Sequence, residues 1–598
     1  MAGERPVPSR RFGYGLAMAV VASLVAASQL GRSGFWLAPG LLLVWFLTSY
    51  YVHRRTGASL GDLLFEDGLP FLVLAPLIGV FLAFGPGQRR PRMLDAAGMI
   101  FLAALAWKLR PLLRAALFSG GTVRRRDVFI AVLAISIGLF VLDHPRPLDG
   151  DEPHYLMITN SLWRDGDVDL TNDYRQRAYA PFFRGALSEH TVTVVEKSTG
   201  RQFQRSTHYP GLPVLMLPGY AVSGAAGAKL MIVLTAAAGL TGLFSLLVRL
   251  NVRREACPRP AGPGVAALGV VFIACTSPLV TYGLNIYPEI VAAAIVVWAI
   301  VLLMEERFAW ASALAVGALA SALPWLHPRY LPLTAVLALC ALVRCRARPR
   351  EILALALPAV VSAAGFFVYC RTVFGGMHPG MDVVLPGNHP ALSLNRSLYY
   401  LFAMFLDSHG GLMAYAPVLM LVPLGAILLF RENRAALAVM LLAIFAEVGL
   451  IATGIGEWHG GWAPPSRYMA CVSPLLAALA ILSYQRALGN KALRWLSHGL
   501  FGVGIALGLL MVLDPEAMYS VYRPGSLPAI RESYRFIRLE WVFPSYADGG
   551  LRPVALTLFW LAAIVLATWL SLRLTRDRSS KVPHVDEGLP PACRPRGR

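Results

Sequence analysis

Three carboxylates and a histidine crowd into Leu148-Asp149-Gly150-Asp151-Glu152-Pro153-His154-Tyr155, in a chain where only 15% of residues are charged. The stretch follows the apolar run 127–142, so it stands where a hydrophobic segment meets water. Like charges this close repel, and a low-dielectric boundary makes each one harder to ionise. Such a cluster suits a cation, a helix cap or proton transfer. As chemistry, Asp151 is placed to act as general base on a hydroxyl. Glu152 beside it would orient the acceptor or, with Asp151, hold a divalent cation. As architecture, proline fits the first turn of a helix and disfavours the α conformation just before it. Glu152 is therefore predicted as the N-cap of a short amphipathic helix along the membrane surface, with Tyr155, Ile158 and Leu162 on one face.

Other polar residues fall near the ends of apolar runs. Glu289 follows Pro288 at the start of one and is expected to face the same side as Asp151, although a carboxylate at a helix N-terminus needs no further role. Arg329, Arg467 and Lys229 are cations close to predicted span ends. An arginine fork matches a phosphate leaving group; the plain alternative for each cation is snorkelling to lipid headgroups. His154, His327 and His459 offer ligand atoms but form no metal-binding spacing, so each is expected as a hydrogen-bonded interfacial histidine. Glu447 lies deep in a late apolar run and receives no role from its surroundings.

The elements that must position these residues are helices in a membrane. With 598 residues, 56% of them hydrophobic, the chain reads as an all-α polytopic membrane protein of about sixteen spans. Its net charge of +20 is spread through short basic clusters between apolar runs, such as 124–126, 344–350 and 573–578. That is the positive-inside pattern and excludes a nucleic-acid domain. Only the cluster at 88–92 breaks the alternation. With the amino terminus inside, the outward face receives loops 143–227, 373–410, 454–468 and 514–550. The predicted organisation is an N-terminal segment of about four helices over 1–126, a core over 127–485, C-terminal helices over 486–573 and a basic disordered tail over 574–598. Arg10-Arg11 and the run after them read as a signal anchor, not a cleaved signal peptide. The seven cysteines show no pairing or metal spacing.

Asp149-Gly150-Asp151-Glu152-Pro153-His154-Tyr155, opening the first large outward loop, resembles the GT-C superfamily of membrane glycosyltransferases. More narrowly, it is similar to bacterial relatives of protein O-mannosyltransferases and the lipid A aminoarabinose transferase. His208-Tyr209-Pro210-Gly211, Tyr287-Pro288-Glu289, His327-Pro328-Arg329, Asp407-Ser408-His409-Gly410-Gly411-Leu412 and Trp458-His459-Gly460-Gly461-Trp462 support it, so the resemblance covers 127–485. It implies a GT-C-like fold in a bacterial inner membrane. It also implies transfer of one sugar from a polyprenyl-phosphate carrier to a hydroxyl of a glycan, lipid or protein on the non-cytoplasmic face. Asp151 would be the base, Glu152 its neighbour on acceptor or metal, Glu289 the second acid, and Arg329 and Arg467 the phosphate clamp. No cofactor is required beyond an optional divalent cation at Asp151 and Glu152. The first four spans depart from the pattern, as does the lack of a large carboxy-terminal soluble domain, which argues against an oligosaccharyltransferase.

Three rivals remain. A transporter or flippase of lipid-linked sugars would show paired repeats and broken helices around a midplane site, and no repeat is visible. A glycan ligase or polymerase would share the outward site and differ in substrate. A non-catalytic assembly protein would not need the acidic pair.

Overall fold

The computed structural model describes residues 123–579 apart from 144–145, 197, 252–261, 378–392, 455–457, 489, 520–521, 524 and 549. The predicted first four spans, and the basic tail beyond 579, lie outside the described residues. The described chain is helix-rich and is that of an integral membrane protein. Six of its helices are long and apolar enough to cross a membrane: Gly211–Leu250, Pro328–Cys345, Pro349–Phe374, Arg434–Thr453, Lys491–Leu513 and Leu551–Arg573. Pro263–Ala274, Pro288–Leu303 and Trp310–Leu326 are shorter apolar helices.

Several predicted spans are not single helices. The run 263–282 divides at Ser277-Pro278 into Pro263–Ala274 and Leu279–Leu284. The run 411–430 divides into Leu412–Tyr415, a 3-10 turn Pro417–Leu421, and Val422–Glu432. Proline explains both breaks, since it lacks an N–H and disfavours helix in its predecessor. The first outward loop is also shorter than expected. Helix Gly211–Asn251 takes up its last part and bends where Ser223 and Gly224 leave helical geometry, Gly224 at φ 57°.

Apolar helices take two places, inside the bundle or on its lipid-facing surface. Pro288–Leu303 and Ser473–Ala487 are enclosed along almost their whole length. Pro349–Phe374 and the C-terminal helix Leu551–Ser579 instead turn Val360, Val361, Phe367, Leu558 and Val565 outward, as surfaces solvated by lipid do. Small residues bring helices together inside this shell. A Cβ on Gly317 would lie 2.4 Å from the Leu355 carbonyl oxygen, so only glycine allows Trp310–Leu326 to sit this close to Pro349–Phe374.

The outward loop carries its own structure. Helix Glu152–Arg164 is followed by Thr171–Arg175 and by strands β1 (Thr191–Val195) and β2 (Gln202–Ser206). The strands pair antiparallel, Thr191 opposite Ser206 and Val195 opposite Gln202. This hairpin is the only sheet among the described residues of a helical chain; the β-branched run TVTVV is its signal. Helix Glu152–Arg164 is not an amphipathic surface helix either. Every residue from Glu152 to Ser161 is buried. Met157 and Ile158 pack with Leu170, Tyr179 and Leu187, while Asn160 bonds Asp173 (2.9 Å) and Tyr220 (3.0 Å). The carboxylates Asp167 and Asp169, in the second acidic run, accept backbone and hydroxyl bonds within the same turn.

Candidate active site

The N-cap of helix Glu152–Arg164 is Asp151, and its side chain makes no capping bond. Glu152 is one residue inside, next to Pro153, which corrects the predicted cap. The two acids therefore face different surroundings. Asp151 stays partly accessible at 19%, whereas the Glu152 side chain is fully enclosed at 0%.

Glu152 accepts bonds from Arg146 Nη2 (3.0 Å), Tyr519 Oη (3.0 Å) and the amide of Ile286 (2.9 Å). Arg146 also bonds Asp143 and Asn285, and Lys229 Nζ lies 2.6 Å from the same Asp143. Lys229, Asp143, Arg146 and Glu152 thus alternate in sign within a buried cluster. Burying these ions is costly, and mutual pairing is what makes it tolerable. Two expectations change. Lys229 does not snorkel, and Glu152 fixes the acidic loop against Ile286 and Tyr519, with no oxygen turned to an acceptor or cation.

Asp151 begins a second alternating series. Its Oδ2 accepts from Arg467 Nη2 at 2.5 Å; Arg467 Nε donates to Glu289 Oε1 at 2.9 Å. The same Glu289 oxygen accepts from Arg329 Nη2 at 2.7 Å, and Arg329 Nε lies 3.8 Å from Glu447 Oε1. The order is Asp151, Arg467, Glu289, Arg329, Glu447. Arg329 is buried, with its guanidinium over the rings of Tyr330 and Tyr468 at 4.7 and 4.6 Å. Snorkelling is excluded for it, and as placed it faces carboxylates and aromatic rings. Arg467 lies over Tyr287 at 4.8 Å and keeps a small accessible surface beside Asp151. Glu447, which had no role in the sequence reading, is the inner end of the series. Burial pushes the Asp151 carboxyl up, but the Arg467 guanidinium, together with the nearby His208 and His154, holds the group well below the usual carboxylate range.

The backbone around Asp151 is fixed on three sides. Asp149 Oδ2 accepts from Trp462 Nε1 at 2.8 Å, and the Asp151 amide faces Tyr287 Oη at 3.3 Å. Gly150 sits at φ +58°, and a Cβ there would come 2.3 Å from Tyr287 Oη and 2.7 Å from the Trp462 carbonyl. Residues 460–467 and the 285–289 turn are therefore part of the candidate site.

The predicted histidines separate. His327 Nδ1 accepts from the Arg329 amide at 3.2 Å and its ring leans on Tyr209. His459 Nδ1 accepts from the Gly461 amide at 3.2 Å and its ring stacks on Tyr522 at 4.5 Å. Both accept a local backbone bond within a turn. His154 is different: it meets His190 and His208, and the three place ligand nitrogens within 4.8 Å of one another. Burial pushes His154 down to about 3 and His208 to about 4, and proximity to the other imidazoles pushes the same way. In the 407–412 motif, the buried Asp407 carboxylate accepts from the amides of His409, Gly410 and Tyr546, which makes it a loop lock.

An apolar cavity of about 770 Å³ opens beside the C-terminal part of helix Glu152–Arg164, lined by Leu162, Val168, Val214, Leu215, Ile295 and Trp325. Arg205 also lines it. Its Nε is buried without a hydrogen-bond partner among the described residues, and its guanidinium sits 4.8 Å from the Phe203 ring. Sequence reasoning did not single out Arg205, because nothing local distinguishes it from the other loop arginines.

No protein-family model and no curated protein sequence matches the chain. Among solved structures it is similar to ArnT from Cupriavidus metallidurans in the apo state, with a TM-score of 0.43 and 16% identity over 75% of this chain and 72% of ArnT. The form of that protein bound to undecaprenyl phosphate gives a TM-score of 0.40 and 15% identity over the same shares. The apo oligosaccharyltransferase from Archaeoglobus fulgidus gives 0.34 and 15%, over 65% of this chain and 54% of that one. These likenesses are too distant to transfer a role to any residue.

Proposed function

We propose that the chain is a GT-C-type glycosyltransferase that moves a sugar from a polyprenyl-phosphate carrier to a hydroxyl acceptor on the non-cytoplasmic face. The observation that carries this reading is the pairing of a partly accessible Asp151 with Arg467, at the head of a buried series of alternating charges. The acceptor oxygen attacks the anomeric carbon, the bond from that carbon to the phosphate oxygen breaks, and its electrons leave on polyprenyl phosphate. Asp151 takes the acceptor's proton.

A carboxylate held this acidic by Arg467 is a weak base. An incoming phosphate competes for the Arg467 fork, which suits two-oxygen recognition. As Arg467 turns to phosphate, Asp151 loses the charge that depresses it and gains basicity where the acceptor binds. Glu289 keeps Arg467 and Arg329 oriented throughout. The apolar cavity, with Arg205 at its lining, matches the prenyl chain of the carrier and its anionic end.

The test is transfer by purified protein in detergent, supplied with a synthetic polyprenyl-phosphate sugar and cell-envelope acceptors. Release of free polyprenyl phosphate with a glycosylated product supports the reading. Movement of intact donor across liposomes without turnover would make it a flippase.

A further inference from the structure

We propose that His154, His190 and His208 form a binding site for one Zn²⁺ ion, distinct from the Asp151–Arg467 pair and independent of sugar transfer. The three imidazoles come from three places in the chain. His154 lies in the first turn of helix Glu152–Arg164, His190 immediately precedes β1, and His208 follows β2 by two residues. The hairpin sets the last two together: the amide and hydroxyl of Thr207 both donate to the His190 carbonyl, at 3.0 and 3.2 Å. His190 Nδ1 then faces His208 Nε2 at 3.4 Å.

That separation is what zinc requires. Two nitrogens bound tetrahedrally at about 2.0–2.1 Å stand about 3.3–3.4 Å apart. The third nitrogen needs only a side-chain adjustment, since all three already lie within 4.8 Å. His154 now stacks on His190, with ring centroids 3.8 Å apart and planes 11° from parallel. Rotation about its side-chain torsions would turn that stack into coordination. His154 Nδ1 faces Tyr174 Oη at 3.3 Å, which leaves Nε2 for the metal. A hydrogen bond on the far ring nitrogen is the usual way a protein orients an imidazole ligand.

Three neutral nitrogen donors suit Zn²⁺ better than the oxygen-seeking Mg²⁺ or Ca²⁺. The fourth position would fall to water. Bound there, zinc ties the hairpin to the helix that starts at Asp151. A stacked imidazole cluster held by the His190–His208 bond alone is the competing explanation, and it needs no metal.

The experiment uses full-length protein purified in detergent without a histidine tag, incubated with ZnCl₂, desalted and measured for metal by mass spectrometry. The expected result is about one zinc per chain. His190→Ala, on the exposed hairpin, and His208→Ala should each lose it. His498→Ala, whose imidazole bonds Tyr484 elsewhere, should retain it. Folding of each variant is checked by its melting curve in chelator. Replacement by Co²⁺ should give the visible absorption of a tetrahedral nitrogen site, lost in His190→Ala. Wild type without zinc, or His190→Ala with an unchanged zinc content, would overturn the proposal.

Discussion

Asp151 Oδ2 and Arg467 Nη2 lie 2.5 Å apart although 316 residues separate them in the chain. This contact joins the head of the first outward loop to the turn that begins at Tyr468, and Glu289 joins both to helix Pro288–Leu303. The site is held by charges of alternating sign contributed by distant parts of the chain.

Glu289 is the residue that series depends on most. Its Oε1 receives both Arg467 and Arg329, so Glu289→Ala leaves two enclosed guanidiniums short of an acid. Breaking a buried pair costs about 3–5 kcal/mol, and the melting temperature in detergent should fall accordingly. Glu447→Gln should cost much less, because Glu447 stands 3.8 Å from Arg329 and neither of its oxygens has a hydrogen bond among the described residues. Equal losses in the two variants would contradict this ranking.

Gly150 cannot take a side chain. Its φ of +58° and the 2.3 Å approach to Tyr287 Oη act together. The left-handed conformation alone costs about 1–2 kcal/mol for other residues. Gly150→Ala should therefore displace Asp151 and lower both melting temperature and turnover. An alanine variant with wild-type turnover would show that the loop can shift without consequence.

The histidine cluster makes stability depend on pH in metal-free protein. With His154 near 3 and His208 near 4 when folded, and both near 6.5 when unfolded, only the unfolded chain takes up protons between those values. Stability is then complete above about pH 6.5 and is lost as pH falls towards about 4. Melting temperatures in chelator at pH 7.5, 6 and 5 should decline, and His208→Gln should flatten the decline. Asp151 contributes with the carboxylate sign: its folded value is depressed, so its stabilisation is present at neutral pH and disappears only in stronger acid. A wild-type curve that is flat across this range would contradict the assignment of neutral imidazoles.

Arg467 separates charge from geometry. Arg467→Lys keeps a cation near Asp151 but loses the fork that bonds Asp151 and Glu289 at once. Donor affinity should weaken in the lysine variant and weaken further in Arg467→Ala. Losing a charged hydrogen bond to a buried partner is worth about 2–5 kcal/mol. Isothermal titration with polyprenyl phosphate reads this directly, and unchanged affinity in Arg467→Ala would remove Arg467 from the phosphate site.

Local features were legible in the sequence, and partners were not. Pro153 marked the start of a helix, because that signal lies within a few residues, and the acidic cluster marked the stretch from which the candidate site is proposed. The role of Glu152 was misread as a cap, since its true partners, Arg146, Ile286 and Tyr519, include two that only folding brings near. For Lys229 and Arg329 the sequence left lipid phosphate and headgroup snorkelling as the readings, because a cation near an apolar run looks identical whether its acid is a headgroup or Asp143 and Glu289. His190 had no local signal at all. It joins His154 only because the short hairpin folds back, and a β-branched TVTVV run was the sole hint of that hairpin.

The central claim is that Asp151 takes the acceptor's proton, and sugar transfer by Asp151→Asn tests it most directly. Asparagine nearly preserves the shape, keeps an oxygen that can accept from Arg467, and removes no capping bond, since the Asp151 side chain makes none, so the variant should express, fold and bind polyprenyl-phosphate donor. Turnover should drop by about 10²–10⁴-fold, the usual contribution of a positioned general base. Near-wild-type turnover in folded, donor-binding Asp151→Asn would contradict the mechanism and leave the acidic loop a purely architectural feature.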